Sequence, residues 1–282
     1  MEPMRFCQNK FIFALLLLTL FFLRAEADEI EERLSQLSIR ERDSLEYFFS
    51  TAIQQDHLGH VLFFSNKPAS LVGCFISDKY TRFIEGWRVW KEKESLFPHP
   101  NFIIHEEIVD FADKDVATLH LYFINKKTLS AHLAKNESSL KKILGKEFSK
   151  EEFIKRLEGR KIGSLFQGNQ ILIGVLLGYG IESSVAYSAE QNVPIGKLTP
   201  IFCAQKGKVT TCITNPRMCK INSESQISPV VFMGCSRSKE AQNLQAKYSH
   251  ELEKIEKIFQ EKDLLKLCMR ALCEPIPIIS VR

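Results

Sequence analysis

A chain of 282 residues with 45% hydrophobic and 26% charged content has ordinary globular composition and enough apolar mass to bury a real core. Its net charge of +4 is too small to draw nucleic acid by global electrostatics, so no specific nucleic-acid signal is read. No internal repeat and no Pro/Gly/Ser-rich linker divides it, which excludes a solenoid and argues for one domain.

Residues 1–27 read as a secretory signal peptide. Arg5 and Lys10 are basic, Phe11 to Leu23 is an uninterrupted apolar run, and Ala25-Glu26-Ala27 supplies small residues at cleavage spacing. The mature chain is expected from Asp28, exported to the periplasm, the envelope or beyond. Thirteen helical residues from Phe11 to Leu23 span only roughly 20 Å against a hydrocarbon core of about 30 Å. Membrane association is expected only if the segment stays uncleaved, the alternative that Arg24 between run and cleavage site keeps open. Cys7 precedes the apolar run, so lipid attachment is not expected. Export allows disulfides to persist. Without Cys7, seven of the eight cysteines remain, an odd number, so at least one is free or paired between chains.

From Glu29 the pattern is helical. A short acidic helix comes first, and the capping box Ser38–Glu41 starts a second that carries Leu45, Phe48, Phe49 and Ile53 on one stripe to about Asp56. His60–Phe75, HVLFFSNKPASLVGCF, reads as two extended segments around a tight turn. Val61–Phe64 is too continuous for a half-exposed strand, and Pro68 forces Lys67 out of the helical region. Lys67, the one charge between Asp56 and Asp78, is expected at the solvent edge of that turn. Ser77-Asp78 caps a helix to about Ser95, whose Phe83, Trp87 and Trp90 read as core packing, and Pro98-His99-Pro100 stops it. Asn101–His105 and Val116–Asn125 are expected strands, the second alternating buried and mixed positions.

A helix follows from Lys126 to about Leu144, then a shorter one capped by Ser149 with Glu151 and Glu152 in its first turn. Ile171–Glu190 reads as one buried helix whose Gly174 and Gly178 allow close packing. Gln191–Ser223 is a basic, cysteine-bearing excursion with no carboxylate, expected to be hairpin-like around Lys206-Gly207-Lys208. Pro229–Met233 is a strand. Ser236 or Ser238 caps a long amphipathic helix running to about Cys273 with Leu244, Tyr248, Leu252, Ile255 and Phe259 as its stripe, and Pro275–Arg282 is extended. The fold class is therefore α+β, a small, mainly antiparallel sheet packed with several helices and a long C-terminal amphipathic helix. Residues 28–282 form one domain with an excursion at 191–223.

Several chemistries are testable by spacing. Ser236-Arg237-Ser238-Lys239 matches the S-x-x-K of serine acyltransferases, but the accompanying S-D-N and K-T-G elements are missing, and helix capping explains both serines. A cysteine nucleophile needs a base brought to it by the fold; Cys74 with His57 or His60 is the most economical pair, and Cys235 at a helix start would have an acidified thiol. Cys203, Cys212, Cys219 and Cys235 are separated by eight, six and fifteen residues with no C-x-x-C pair, which favours disulfides over a metal. Neither a metal nor a cofactor is expected, and Gly174–Gly180 is no dinucleotide fingerprint. Lys197, Lys206, Lys208, Arg217 and Lys220 are the candidate binding residues, for phosphate-bearing envelope components.

The order of a Leu/Phe-rich helix, GHVLFFSNKPASL, GWRVWKEKESLFP, a strand ending YFINKK, then ILIGVLLGYG and PVVFMGCSRSKEAQNLQAKY, resembles a group of uncharacterised, signal-bearing proteins of chlamydia-like bacteria marked by a VLF segment shortly before Lys-Pro. The resemblance implies a bacterial envelope or host-directed setting and supplies no catalytic residues. The expected function is that of an exported protein that binds envelope or host components. The alternative is an exported hydrolase with Cys235 or Cys74 as nucleophile and His60 as base.

Overall fold

The structure is a computed structural model that describes residues 29–64, 66–110, 117–159, 166, 169–192, 198–203, 209–211, 220–221, 227–261 and 263–274. The expected signal peptide, the Lys206-Gly207-Lys208 turn and the extended tail lie outside the described residues. Residues 29–35 form helix α1. The capping box is present: Ser38 Oγ accepts from Glu41 N at 3.3 Å and Glu41 Oε2 accepts from Ser38 N at 2.7 Å, starting α2, Ile39–Asp56. Both bonds satisfy donors that a first helical turn leaves without intrahelical partners.

At His57 the backbone enters the left-handed region at φ 64°, and the chain restarts as α3, Leu58–Phe63. Val61–Phe63 is therefore helical, not the strand expected. Each residue of this short helix is buried, so the run is apolar on every side and its periodicity carries no sign of its conformation. Only the second half of His60–Phe75 is extended, as β1, Ala69–Phe75.

Strands β2, Phe102–Asp110, and β3, Ala117–Asn125, complete an antiparallel sheet of order β1-β3-β2, with Gly73 opposite His120 and Ile103 opposite Ile124. One face places Val72, Cys74, Leu119, Leu121 and Phe123 in the main core. Helix α4, Thr81–Lys93, packs there too, contributing Phe83, Trp87 and Trp90. The α4–α2 crossing is close at Gly86, where an added Cβ would lie 2.4 Å from Ser44 O and 2.6 Å from Phe48 Cβ. Trp87 Nε1 donates to Glu106 at 2.9 Å, which gives the large ring its polar partner.

At its Ala69–Ile103–Ile124 end, the other face is covered by α5, Lys126–Leu144, α6, Lys150–Gly159, and α7, Gln170–Leu176. The segment expected as one helix from Ile171 is two: α7 and α8, Ile181–Asn192, meet at Gly178 and Gly180 with φ of +79° and +82°. These are angles that side chains rarely adopt, so the glycines act as breaks and not merely as packing notches.

Strand β4, Thr199–Cys203, pairs antiparallel with β7, Val230–Gly234. Between them in sequence, β5, Val209–Thr211, pairs with β6, Lys220–Ile221. The hairpin expected around Lys206-Gly207-Lys208 is thus corrected, because the strands flanking that turn pair with other partners. The expected long C-terminal helix is present as α9, Lys239–Phe259, and α10, Leu264–Cys273, continues after a turn. Ser238 Oγ caps α9 by accepting from Ala241 N and donates to the Glu182 carboxylate, so of the two serines expected as caps Ser238 fills that place, whereas Ser236 is the one that heads S-x-x-K. Among the described residues, no helix is long and apolar enough to cross a membrane.

The expected disulfides are absent among the described cysteines: Cys74, Cys203, Cys235, Cys268 and Cys273 carry free thiols. The ladder explains why Cys203 and Cys235 do not pair. Cys203 lies opposite Val230 at one end, whereas Cys235 follows Gly234, which lies opposite Thr199 at the other. The four steps from Val230 to Gly234, at about 3.3 Å each, already open roughly 13 Å between the two ends, about twice the Cα separation a disulfide tolerates.

Candidate functional site

Three elements converge on a polar network inside the fold. Lys67, on the connection from α3 to β1, is only 1% exposed, which reverses its expected place at the solvent edge. Its Nζ donates to Leu177 O at 2.5 Å and stands 5.0 Å from the centroid of the Tyr179 ring. From α9, Glu251 is also buried; it accepts from His60 Nδ1 at 2.8 Å through Oε2 and from Asn66 Nδ2 through Oε1. One helical turn before it, Tyr248 donates to Gly178 O at 2.8 Å and meets the His60 ring edge-on at 5.5 Å.

The Leu177-Gly178 turn is seated directly on Lys67-Pro68. An added Cβ at Gly178 would come within 2.6 Å of Tyr248 Oη and 2.8 Å of Pro68 Cδ. Two adjacent backbone carbonyls are thereby aimed at Lys67 and Tyr248. Glu240 accepts from Ile181 N at 2.9 Å and Glu182 N at 2.8 Å, so the start of α8 is capped by a carboxylate from α9.

Burial dominates the electrostatics. It lowers the Lys67 ammonium to about 7, with Cys203 and Glu251 acting in the opposite direction. Burial lowers His57 to about 3, helped by the charges of Lys67 and His60. It also pulls His60 down, opposed by the bond and charge of Glu251. Cys203 and Tyr179 are each pushed up to about 12, again chiefly by burial. At neutral pH the neighbours of Lys67 are thus mostly neutral, and among the described residues Glu251 is the only carboxylate acting on it.

Lys67 forms part of the wall of a cleft of about 730 Å³. The cleft runs along β1 from Ser70 to Phe75 and reaches Ser228, Pro229 and Val231 at the start of β7. Its floor is the C-terminal end of α2, where Ser70 Oγ donates to Asp56 O, Ser228 N donates to Gln54 O at 2.7 Å, and the His57 ring is within hydrogen-bonding distance of Pro229 O at 2.8 Å. Thr118 and His120 enter from β3, and the Thr118 hydroxyl is buried without a partner. Both flanking strands end their sheets: β1 has β3 on one side and β7 has β4 on one side, and among the described residues neither has a strand on the other. Phe75 and Ile76, 48% and 43% exposed, mark the outer end.

The sequence-derived candidates separate here. His60 belongs to the buried network, although as a partner of Glu251 and not beside a thiol. Cys74 sits in the main core and on the cleft wall; burial, reinforced by the charge of Asp56, raises its thiol to about 11, the wrong direction for a nucleophile. Cys235 is exposed in the turn after β7. Among the described hydrogen bonds, none joins Cys74 or Cys235 to His57 or His60. Lys220 stands in β6, and Lys197, Lys206, Lys208 and Arg217 lie outside the described residues. Among the described residues, no group of three His, Cys, Asp or Glu side chains could hold a metal ion.

Lys67, Glu251, Tyr248 and Tyr179 are the network residues that spacing did not single out as a site. Two signals were available: a lone charge in the apolar stretch from Leu58 to Phe75, and a carboxylate three residues after Tyr248 on the buried stripe of α9. No family model matches the chain, and no curated protein or solved structure is significantly similar to it.

Proposed function

We propose that the protein acts by binding, and that an extended peptide of a partner docks in the cleft as an added strand on β1. The observation that carries this reading is the lining of the cleft by β1 from Ser70 to Phe75, a strand that among the described residues has no neighbour on the side away from β3, with the terminal strand β7 across the cleft. A sheet edge offers a row of backbone donors and acceptors that an extended chain matches regardless of its sequence, and alternate side chains supply selectivity. The mixed lining, with Phe75 and Leu71 beside Ser70, Thr118 and His120, suits a peptide with both apolar and polar side chains. The signal-like residues 1–27 and the resemblance to signal-bearing proteins of chlamydia-like bacteria support an exported setting, with an envelope or host protein as the source of the peptide.

Gly73 provides the test. A Cβ there would meet only His120 Cδ2 and Leu119 O, both at 3.6 Å, so a larger residue is accommodated on the exposed strand while filling the cleft. A peptide selected from a random display library on the wild-type protein should lose its binding to Gly73→Trp with the melting temperature retained. Undiminished binding to a folded Gly73→Trp protein would overturn the reading.

A further inference from the structure

Among the described residues, the lysine at the inner end of the cleft has an incomplete set of partners. An ammonium carries three donors. Lys67 Nζ uses one on Leu177 O, and the face of Tyr179 supplies a weaker attraction. Glu251 acts on it through space but gives both oxygens to His60 and Asn66, and among the described residues no carboxylate stands within ion-pair distance of Lys67. The titratable groups around it come from every packed element: Glu251 and Tyr248 from α9, Cys203 from β4, His57 before α3, His60 within it, and Tyr179 after α7. Burial disfavours charge on the two imidazoles, the thiol and the tyrosines, so they leave the ammonium uncompensated.

We propose that Lys67 is the receptor for a carboxylate carried by the cleft's ligand and, resting on the peptide reading above, that this carboxylate is the C-terminus of the docked chain. Lys67 lies just before the first residue of β1, so a peptide whose C-terminus reaches it runs antiparallel to β1. Antiparallel pairing is the more stable ladder and is the one that all three sheets among the described residues already use. A charge-assisted bond formed in a buried wall is strong, short and selective. It also favours the protonated amine, so binding draws a proton onto Lys67, and affinity falls as pH rises above neutral.

The experiment follows the Lys67 ε-methylene by NMR across pH while four probes are added: N-acetyl-alanyl-alanine, its C-terminal amide, N-acetylglutamate α-amide, and inorganic phosphate. The free acid is expected to raise the proton affinity of Lys67 about tenfold or more, with little effect from the amide. Lys67→Met should weaken the free acid by roughly 10- to 100-fold and leave the amide unchanged. Equal responses to acid and amide would overturn the receptor. A larger response to the glutamate side chain or to phosphate would overturn its assignment to a chain terminus. The docking reading is separable: a response of Lys67 to the free acid with peptides indifferent to Gly73→Trp refutes strand addition alone, and a silent Lys67 with peptides lost in Gly73→Trp refutes the receptor alone.

Discussion

Replacing Lys67 by methionine should change stability in opposite directions at low and high pH. In the unfolded chain the amine titrates near its ordinary 10.5, and in the fold burial lowers it to about 7. Below pH 7 both states are protonated, and the fold carries the full cost of a buried charge. At about 1.4 kcal/mol per pH unit, the gap amounts to something on the order of 5 kcal/mol. Between pH 7 and 10.5 the unfolded chain holds the extra proton, so wild-type stability rises through that window as the cost is relieved. Methionine has similar length and no charge, but it leaves Leu177 O without its donor, a loss of about 1–3 kcal/mol at every pH. The variant is therefore expected to be more stable than wild type by about 2–4 kcal/mol at pH 6 and less stable by about 1–3 kcal/mol at pH 10.5, with the difference changing sign near about pH 9. Urea unfolding of both proteins across this range isolates the effect, because thiols and tyrosines shared by the two cancel in the difference. A variant destabilised by the same amount at pH 6 and pH 10 would refute a buried, charge-bearing Lys67.

Gly86→Ala should cost about 2 kcal/mol or more in urea unfolding despite the better helix propensity of alanine, because its Cβ would press on Ser44 O and Phe48; an unchanged midpoint would contradict the close α2–α4 crossing. In acid, His57 and His132, lowered by burial to about 3 and about 4, take up protons on unfolding as pH falls below 6.5. Stability should drop toward pH 4 by an amount on the order of 5 kcal/mol for the pair, already reduced for residual solvent contact, with proton uptake visible in calorimetry. Iodoacetamide mapped by mass spectrometry should label the exposed Cys235 ahead of buried Cys203 and Cys268 by a factor on the order of 10³, and a disulfide joining Cys203 to Cys235 would contradict the β4–β7 register.

What the sequence disclosed was whatever depends on neighbours in the chain. The Ser38–Glu41 capping box, the alternation in Ala117–Asn125 and the aromatic stripe of α4 each express a local period or a cap, and each stands where it was expected. Features set by tertiary surroundings were hidden. Val61–Phe63 is buried on all sides, so a helix and a strand would show the same apolar run. Gly178 and Gly180 look like small packing residues until their positive φ values show a chain reversal. Lys67 carries the strongest surface propensity of any residue type, and only the meeting of the Leu177 turn, Tyr179 and α9 around it shows that it is enclosed. Pairing of β4 with β7 instead of a nearer strand is likewise a long-range choice, and it holds Cys203 apart from Cys235.

The most direct measurement is hydrogen exchange of the backbone amides of β1 and β7 with and without the tightest peptide selected from a random display library. Strand addition predicts that the bound peptide protects amides between Ser70 and Phe75, with the peptide's own alternate amides protected in turn. Peptide binding that leaves the β1 amides exchanging as before, or a selection that yields no binder, would contradict the account.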